Sequence, residues 1–175
     1  MTVRSVIYSL TIVTFFLSSI VGCGQVTKPK SIDKTQSQQN NNLKFDTSAT
    51  TIIQFDKQVN YPFGNTYKQS TLTQTDINNI DSLLIKCVTD YNNSLQQPYK
   101  QLSIDLTKKN YRKQLVVVTN NKGEKEVWVN CFCDTWDKNW KKEILLVQDG
   151  GNCYFNFKIN LTTKKYYDLM VNGDA

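Results

Sequence analysis

The chain has 175 residues, with 21 Lys and Arg against 15 Asp and Glu for a net charge of +6, 39% hydrophobic and 11% aromatic residues, five Cys and no His. That length accommodates one domain with appendages, and the aromatic content excludes a chain disordered throughout. Without His there is no Ser-His-Asp or Cys-His relay, no histidine zinc site and no histidine general base.

Arg4 precedes an apolar run from Val6 to Leu17 that Ser9, Thr11 and Thr14 interrupt. A membrane-spanning helix wants about 20 mostly apolar residues, so the run predicts a leader peptide over residues 1–22. It closes on Ile20-Val21-Gly22-Cys23, which resembles the lipobox of bacterial lipoproteins. The resemblance covers the first 23 residues and implies three steps: a diacylglycerol thioether on Cys23, cleavage between Gly22 and Cys23, and acylation of the new amine. Acyl chains worth about 0.8 kcal/mol per buried CH₂ hold such a protein on its membrane. Gly rather than Asp at position 24 points to the outer membrane, facing either the periplasm or the surface. After the anchor, residues 24–42 hold no aromatic side chain and are rich in Gln, Asn, Ser, Thr and Lys. They cannot bury enough apolar surface to offset their ordering entropy and read as a flexible tether. Residues 43–175 then form a single domain.

Within that domain Thr50–Phe55 predicts a short strand, followed by a loop at Tyr61-Pro62-Phe63-Gly64. Apolar residues at Ile77, Ile80, Leu84, Cys87, Tyr91 and Leu95 step by three or four, which predicts a helix over 76–95. Thr75 or Asp76 is the expected N-cap, and Asn92-Asn93 with Pro98 marks the exit. Five antiparallel strands are expected next: Gln114–Thr119, Glu126–Cys133, Lys142–Gln148, Asn152–Leu161 and Tyr166–Val171. Their turns fall at Asn120–Gly123, Asp149-Gly150-Gly151 and Thr162–Lys165. Alternation puts Val127, Val129, Cys131 and Cys133 on one face with Trp128, Asn130 and Phe132 on the other. In the fourth strand Cys153, Phe155, Phe157, Ile159 and Leu161 oppose Tyr154, Asn156, Lys158 and Asn160. The fold class is therefore α+β, one long helix packed on a curved antiparallel meander of four to five strands.

Over residues 76–173 this order resembles the cystatin-like arrangement shared by cystatins, the NTF2-like group and small bacterial periplasmic modules. Phe155–Gly173 is similar to the closing hairpin of PepSY-like modules. No QxVxG segment is present, and Gln58–Pro62 does not supply one, so the protease-binding residues of cystatins have no counterpart here.

With Cys23 assigned to the anchor, Cys87, Cys131, Cys133 and Cys153 remain, and their periodicities aim all four at one core. Cys131 and Cys133 sit two apart on one strand, about 6.6 Å, which strains a mutual bridge. The favoured disulfide joins Cys87 to Cys131 or Cys133, against buried reduced thiols as the alternative. Neither a zinc spacing nor a C-x-x-C pair is present, so no metal and no cofactor is expected. Trp136 and Trp140, beside Lys141 and Lys142, fall on an inter-strand loop and form a candidate binding surface together with Trp128 on the outer face. The alternative is that these rings cover the sheet. Basic pairs at Lys108-Lys109, Arg112-Lys113, Lys141-Lys142 and Lys164-Lys165 suit an anionic membrane, a glycan or an acidic protein better than nucleic acid in an exported protein. Asp134, Asp137 and Asp149 stand at strand ends, where turn-forming and active-site carboxylates both occur.

These features point to a non-enzymatic, lipid-anchored envelope module that binds a protein, peptide or glycan, for instance as an inhibitor or immunity-type protein. Two alternatives are an NTF2-like carrier or enzyme with a pocket between helix and sheet, and a structural envelope lipoprotein. The anchor is tested by Cys23→Ser, which should move the protein from the membrane to the soluble fraction on cell fractionation. Unchanged membrane association would refute it.

Overall fold

A computed structural model describes residues 43–134 and 137–173. The leader peptide, Cys23, the tether and Trp136 lie outside the described residues. Helix α1 spans Gln74–Ser94. Its N-cap is Thr73 rather than Thr75 or Asp76, because the pair forms a capping box: the Asp76 amide donates to Thr73 Oγ1 (3.2 Å) and the Thr73 amide to Asp76 Oδ2 (2.8 Å). The Asp76 carboxylate also meets Lys125 Nζ at 2.7 Å, which pins the start of the helix to the sheet. At the far end Asn92 clamps the returning chain, donating to the Ile104 carbonyl and accepting from the Ile104 amide, both at 2.8 Å.

The strands are β1 (Thr50–Ile53), β2 (Lys68–Gln69), β3 (Arg112–Thr119), β4 (Lys125–Phe132), β5 (Tyr154–Asn160) and β6 (Lys165–Val171). They form one six-stranded sheet in the order β1-β3-β4-β5-β6, with β2 also pairing to β3. The fold class is α+β as expected, but the sheet is mixed rather than a purely antiparallel meander. β1 runs parallel to β3, Thr50 opposite Lys113 and Ile53 opposite Val116. A parallel pair needs a crossover connection, and the chain containing α1 supplies it.

The expected strand Lys142–Gln148 does not form; that stretch is turn and coil. β5 pairs directly with β4, Phe132 opposite Tyr154 and Glu126 opposite Asn160, so no place is left between them. The displaced segment lies instead on the outer face, where two side-chain amides take up its backbone. Gln114 and Asn130, opposite each other on β3 and β4, are 0% and 7% exposed. Gln114 Oε1 accepts from the Leu145 amide (2.9 Å) and from Asn130 Nδ2 (3.0 Å). Gln114 Nε2 donates to the carbonyls of Trp140 and Glu143, and Asn130 Nδ2 donates to that of Leu145 at 2.8 Å. After this detour the chain turns into β5 at Gly150 (φ +92), where a Cβ would come within 2.6 Å of the Tyr154 ring.

Alternation holds as expected. The inner face packs Leu115, Val117, Val127, Val129, Phe155, Phe157 and Ile159 against Ile77, Ile80, Leu84, Cys87 and Val88 of α1. Burying a Phe of this kind contributes about 2–3 kcal/mol, whereas an exposed ion pair such as Lys86–Asp90 contributes about 0–1. The apolar seam, not surface charge, holds the helix to the sheet. The outer face is apolar too, with Trp128, Val116 and Val118 beneath Phe55 and Phe63, and Phe132 beneath Trp140 and Leu145.

Gln114→Leu keeps the volume but leaves the Leu145 amide and two carbonyls without their partner. With each buried unmet group costing about 1–3 kcal/mol, urea unfolding should show a loss of about 3 kcal/mol or more. A loss below about 1 kcal/mol would show that the amide pair does not hold the segment.

Candidate functional site

The four cysteines among the described residues resolve into a bridge and two thiols. Cys133 and Cys153 form the disulfide, with Cα atoms 5.0 Å apart, and Cys87 and Cys131 are free and buried. The helix-to-sheet bridge expected from Cys87 is thus corrected. Register explains the choice: with Phe132 opposite Tyr154, the next pair outward is Cys133 and Cys153, and the Cys133 amide donates to the Cys153 carbonyl at 3.0 Å. Directly opposed residues on neighbouring strands bring their Cβ atoms to bridging distance. Cys131 faces Phe155 across the same ladder and stays in the core. Burial pushes both free thiols up to about 12, which makes them poor nucleophiles.

The proposed tryptophan surface is also corrected. Trp128 is 1% and Trp140 7% exposed, so neither ring offers itself to a partner. Trp140 stands edge-on to Phe132 at 5.5 Å, with Lys141 and Arg112 over its ring at 5.3 and 5.9 Å. Trp128 donates from Nε1 to Asn156 Oδ1 at 3.1 Å and meets the Tyr61 ring. Lys141 and Lys142 are exposed, and Lys141 Nζ donates to the Thr47 carbonyl at 3.0 Å. Trp140 acts as a cover because the displaced 137–147 segment folds back over the sheet instead of standing out as a loop, and Trp128 is itself covered by Phe55 and Phe63.

An open feature lies at the margin between α1, the segment before β1 and the approach to β3. Two hollows of about 570 and 270 Å³ adjoin there, sharing Asp46, Ala49, Tyr111 and Lys113. The segment is held to the helix by Gln74, which accepts from the Lys44 amide (2.7 Å) and donates to the Lys44 carbonyl (3.1 Å). Lys113 Nζ meets Asp81 at 2.7 Å. Lys109 Nζ and Tyr111 OH both donate to Asn152, at 2.6 Å each. Hydrogen bonds from the Ser48 hydroxyl and amide hold the Asp46 carboxyl below its ordinary range. Burial pushes the Tyr111 hydroxyl up to about 12, so it remains a neutral donor. The groove is therefore lined by charged and polar groups of both signs, several of them already hydrogen-bonded within the fold, beside the apolar flanks of Ile77 and Leu84.

The sequence singles out Lys109 and Lys113 as members of basic pairs, but not the meeting of Lys113 with Asp81 or of Lys109 with Asn152. Lys44, Asp46 and Tyr111 were missed. Asp46-x-Ser48 was a readable turn signal, though nothing local ties it to α1 or β3. A buried carboxylate was also missed: Glu126, 5% exposed, accepts from Asn120 Nδ2 at 2.6 Å and from Tyr167 OH. It anchors the β3–β4 turn, and burial and Glu126 together raise the Tyr167 hydroxyl.

Compared with known proteins, the chain matches no family model, no curated protein and no solved structure.

The raised thiols predict alkaline sensitivity. The folded state keeps Cys87 and Cys131 protonated to about 12, whereas the unfolded chain releases those protons above its ordinary value of 9.0. Their contribution is complete below pH 9 and is lost as pH rises toward 12. Stability measured by denaturation at successive pH values should decline over that window, less steeply in Cys131→Val. Iodoacetamide added to unfolded, unreduced protein should modify Cys87 and Cys131 but spare Cys133 and Cys153.

Proposed function

We propose that this chain is a lipid-anchored cell-envelope binding module, acting by recognition rather than catalysis, that takes an extended polypeptide segment of a partner into the groove beside α1. The supporting observation is the groove itself. Its two hollows run from Ile77 to Leu84, two turns of helix or about 10 Å, and it sets Lys109 and Lys113 beside Asp46 and Asp81. A polypeptide carries both charge signs and a backbone that can use such donors and acceptors. The lipobox-like Ile20–Cys23 and the polar stretch that follows support the anchoring and the envelope location. One helix crossing a sheet supports the cystatin-like relationship, with parallel β1 as an added edge. An inhibitor or immunity-type role fits this plan.

A small-ligand carrier is the second reading, because Asp46, Asp81 and Tyr111 line the groove at the helix–sheet margin. Interior residues between helix and sheet, such as Val117, Val127 and Phe157, are fully buried against one another, so any ligand is held at the edge.

A photoreactive amino acid at Asn110, in the groove, tests the reading in the full chain expressed in its native envelope. It should yield a saturable protein crosslink that the same probe at Lys86, exposed on the flank of α1 that faces Tyr166 of β6, does not. Ala49→Trp should obstruct the region the two hollows share and reduce that crosslink about tenfold, the equivalent of about 1.4 kcal/mol. A crosslink that is equal from both positions, or indifferent to Ala49→Trp, refutes the groove.

A further inference from the structure

The outer face carries a separate hollow of about 250 Å³ at its β5–β6 edge, on the opposite side of the sheet from α1. Trp128 lies at its base, and Tyr61 and Met170, 37% and 65% exposed, contribute apolar walls. Tyr61 is held edge-on to Trp128 at 5.5 Å, so its ring is positioned before any ligand arrives. Three polar side chains join them: Asn156, Lys158 and Asp168.

Asp168 occupies this place through a departure from the regular ladder. Met170 pairs with Asn156 and Tyr167 with Lys158, so Asp168 and Leu169 together face the single residue Phe157. This is a β-bulge, a device that re-aims a side chain. The extra residue lets Leu169 pack on the inner core while Asp168 joins Tyr167 on the outer face. The backbone at Asp168 is left-handed, φ +53, a conformation costing a non-glycine residue about 1–2 kcal/mol. Edge protection alone would favour Gly or Asn there; an Asp supplies a carboxylate.

The unused hydrogen-bonding capacity in the hollow is specific. Asn156 Oδ1 accepts from Trp128, leaving its Nδ2 without a partner among the described residues. Asp168 Oδ2 meets Lys158 Nζ at 3.1 Å, leaving Oδ1 free by the same measure. Lys158 and Asp168 cancel in charge, which favours a neutral ligand over an anion. The hollow is smaller than the pockets of about 300–1,000 Å³ that hold drug-sized ligands, so it takes one ring rather than a chain. A ring with an apolar C–H face and a rim of hydroxyls matches an exposed Tyr beside Asp, Asn and Lys.

We infer that this hollow binds a neutral pyranose residue of a glycan. The sugar's C–H face lies on Tyr61, Asp168 Oδ1 accepts from its hydroxyls, and Asn156 Nδ2 and Lys158 donate to its oxygens. The site is independent of the polypeptide groove and stands or falls without it.

Isothermal titration calorimetry on the full chain in zwitterionic detergent micelles tests this with the N-acetylglucosamine tetrasaccharide, maltotetraose and mannotetraose. At least one should bind saturably. Asp168→Gly relieves the left-handed backbone while removing the carboxylate, so it should retain the thermal midpoint and weaken binding about tenfold, as expected for a lost bond to a charged group. Tyr61→Ala should weaken it to a similar degree. Asp168→Asn, which tolerates the same backbone and keeps an acceptor, should fall between, and Ala49→Trp in the groove should leave binding unchanged. Absence of binding to all three sugars, or binding indifferent to both Asp168→Gly and Tyr61→Ala, overturns the assignment, as does binding lost on Ala49→Trp.

Discussion

The arrangement of the outer face depends on one buried pair of amides. Gln114 and Asn130 lie side by side across β3 and β4, and between them they meet the backbone of Trp140, Glu143 and Leu145. Buried amides in a sheet are costly unless every donor and acceptor finds a partner. The 137–147 segment supplies those partners, and the amides in turn satisfy backbone groups that no strand neighbour meets. The result is a sheet covered on both faces: Trp140 and Leu145 seal one end of the outer side, and Phe55 and Phe63 seal the other.

Covering both faces leaves both candidate sites at the margins. The space between helix and sheet is filled by apolar side chains. One candidate site is the groove between α1, the segment before β1 and β3. The other is the hollow where the outer cover ends at Tyr61 and the β6 bulge begins. The two differ in chemistry for structural reasons. The groove collects charges from three separate segments, whereas the hollow is built from paired strands and one aromatic ring.

The cysteines follow the same division between ladder and core. Cys133 and Cys153 stand where β4 and β5 open out, and their bridge closes that end of the ladder across a separation of 20 residues. A loop of this length corresponds to about 3 kcal/mol in the chain-entropy account. Cys87 and Cys131 behave as small apolar residues in the seam between helix and sheet, and burial keeps them protonated.

Local pattern was enough for much of this protein. The three-four spacing from Ile77 to Cys87 specified the helix, and alternation specified which residues of β4 and β5 enter the core, because both periodicities are properties of the backbone itself. Turn residues placed Asn120–Gly123 and Gly150 for the same reason. Pairing was beyond its reach. Lys142–Gln148 has the composition of a strand, yet β5 holds the place beside β4, and two amides 15 and 31 residues from Leu145 in sequence take up its backbone instead. Trp128 reads as a surface residue until Phe55 and Phe63 cover it, and Trp140 until its own segment lays it on Phe132. The Cys133–Cys153 bridge, the meeting of Asp81 with Lys113, and the aim of Asp168 all rest on tertiary placement, which sums many distant contacts. Local periodicity thus specified α1 and the strands other than β2, with the sides they bury. Only the tertiary structure decided which elements are neighbours, and with them the disulfide, the covered faces and both candidate sites, because non-local contacts select among pairings that are locally equivalent.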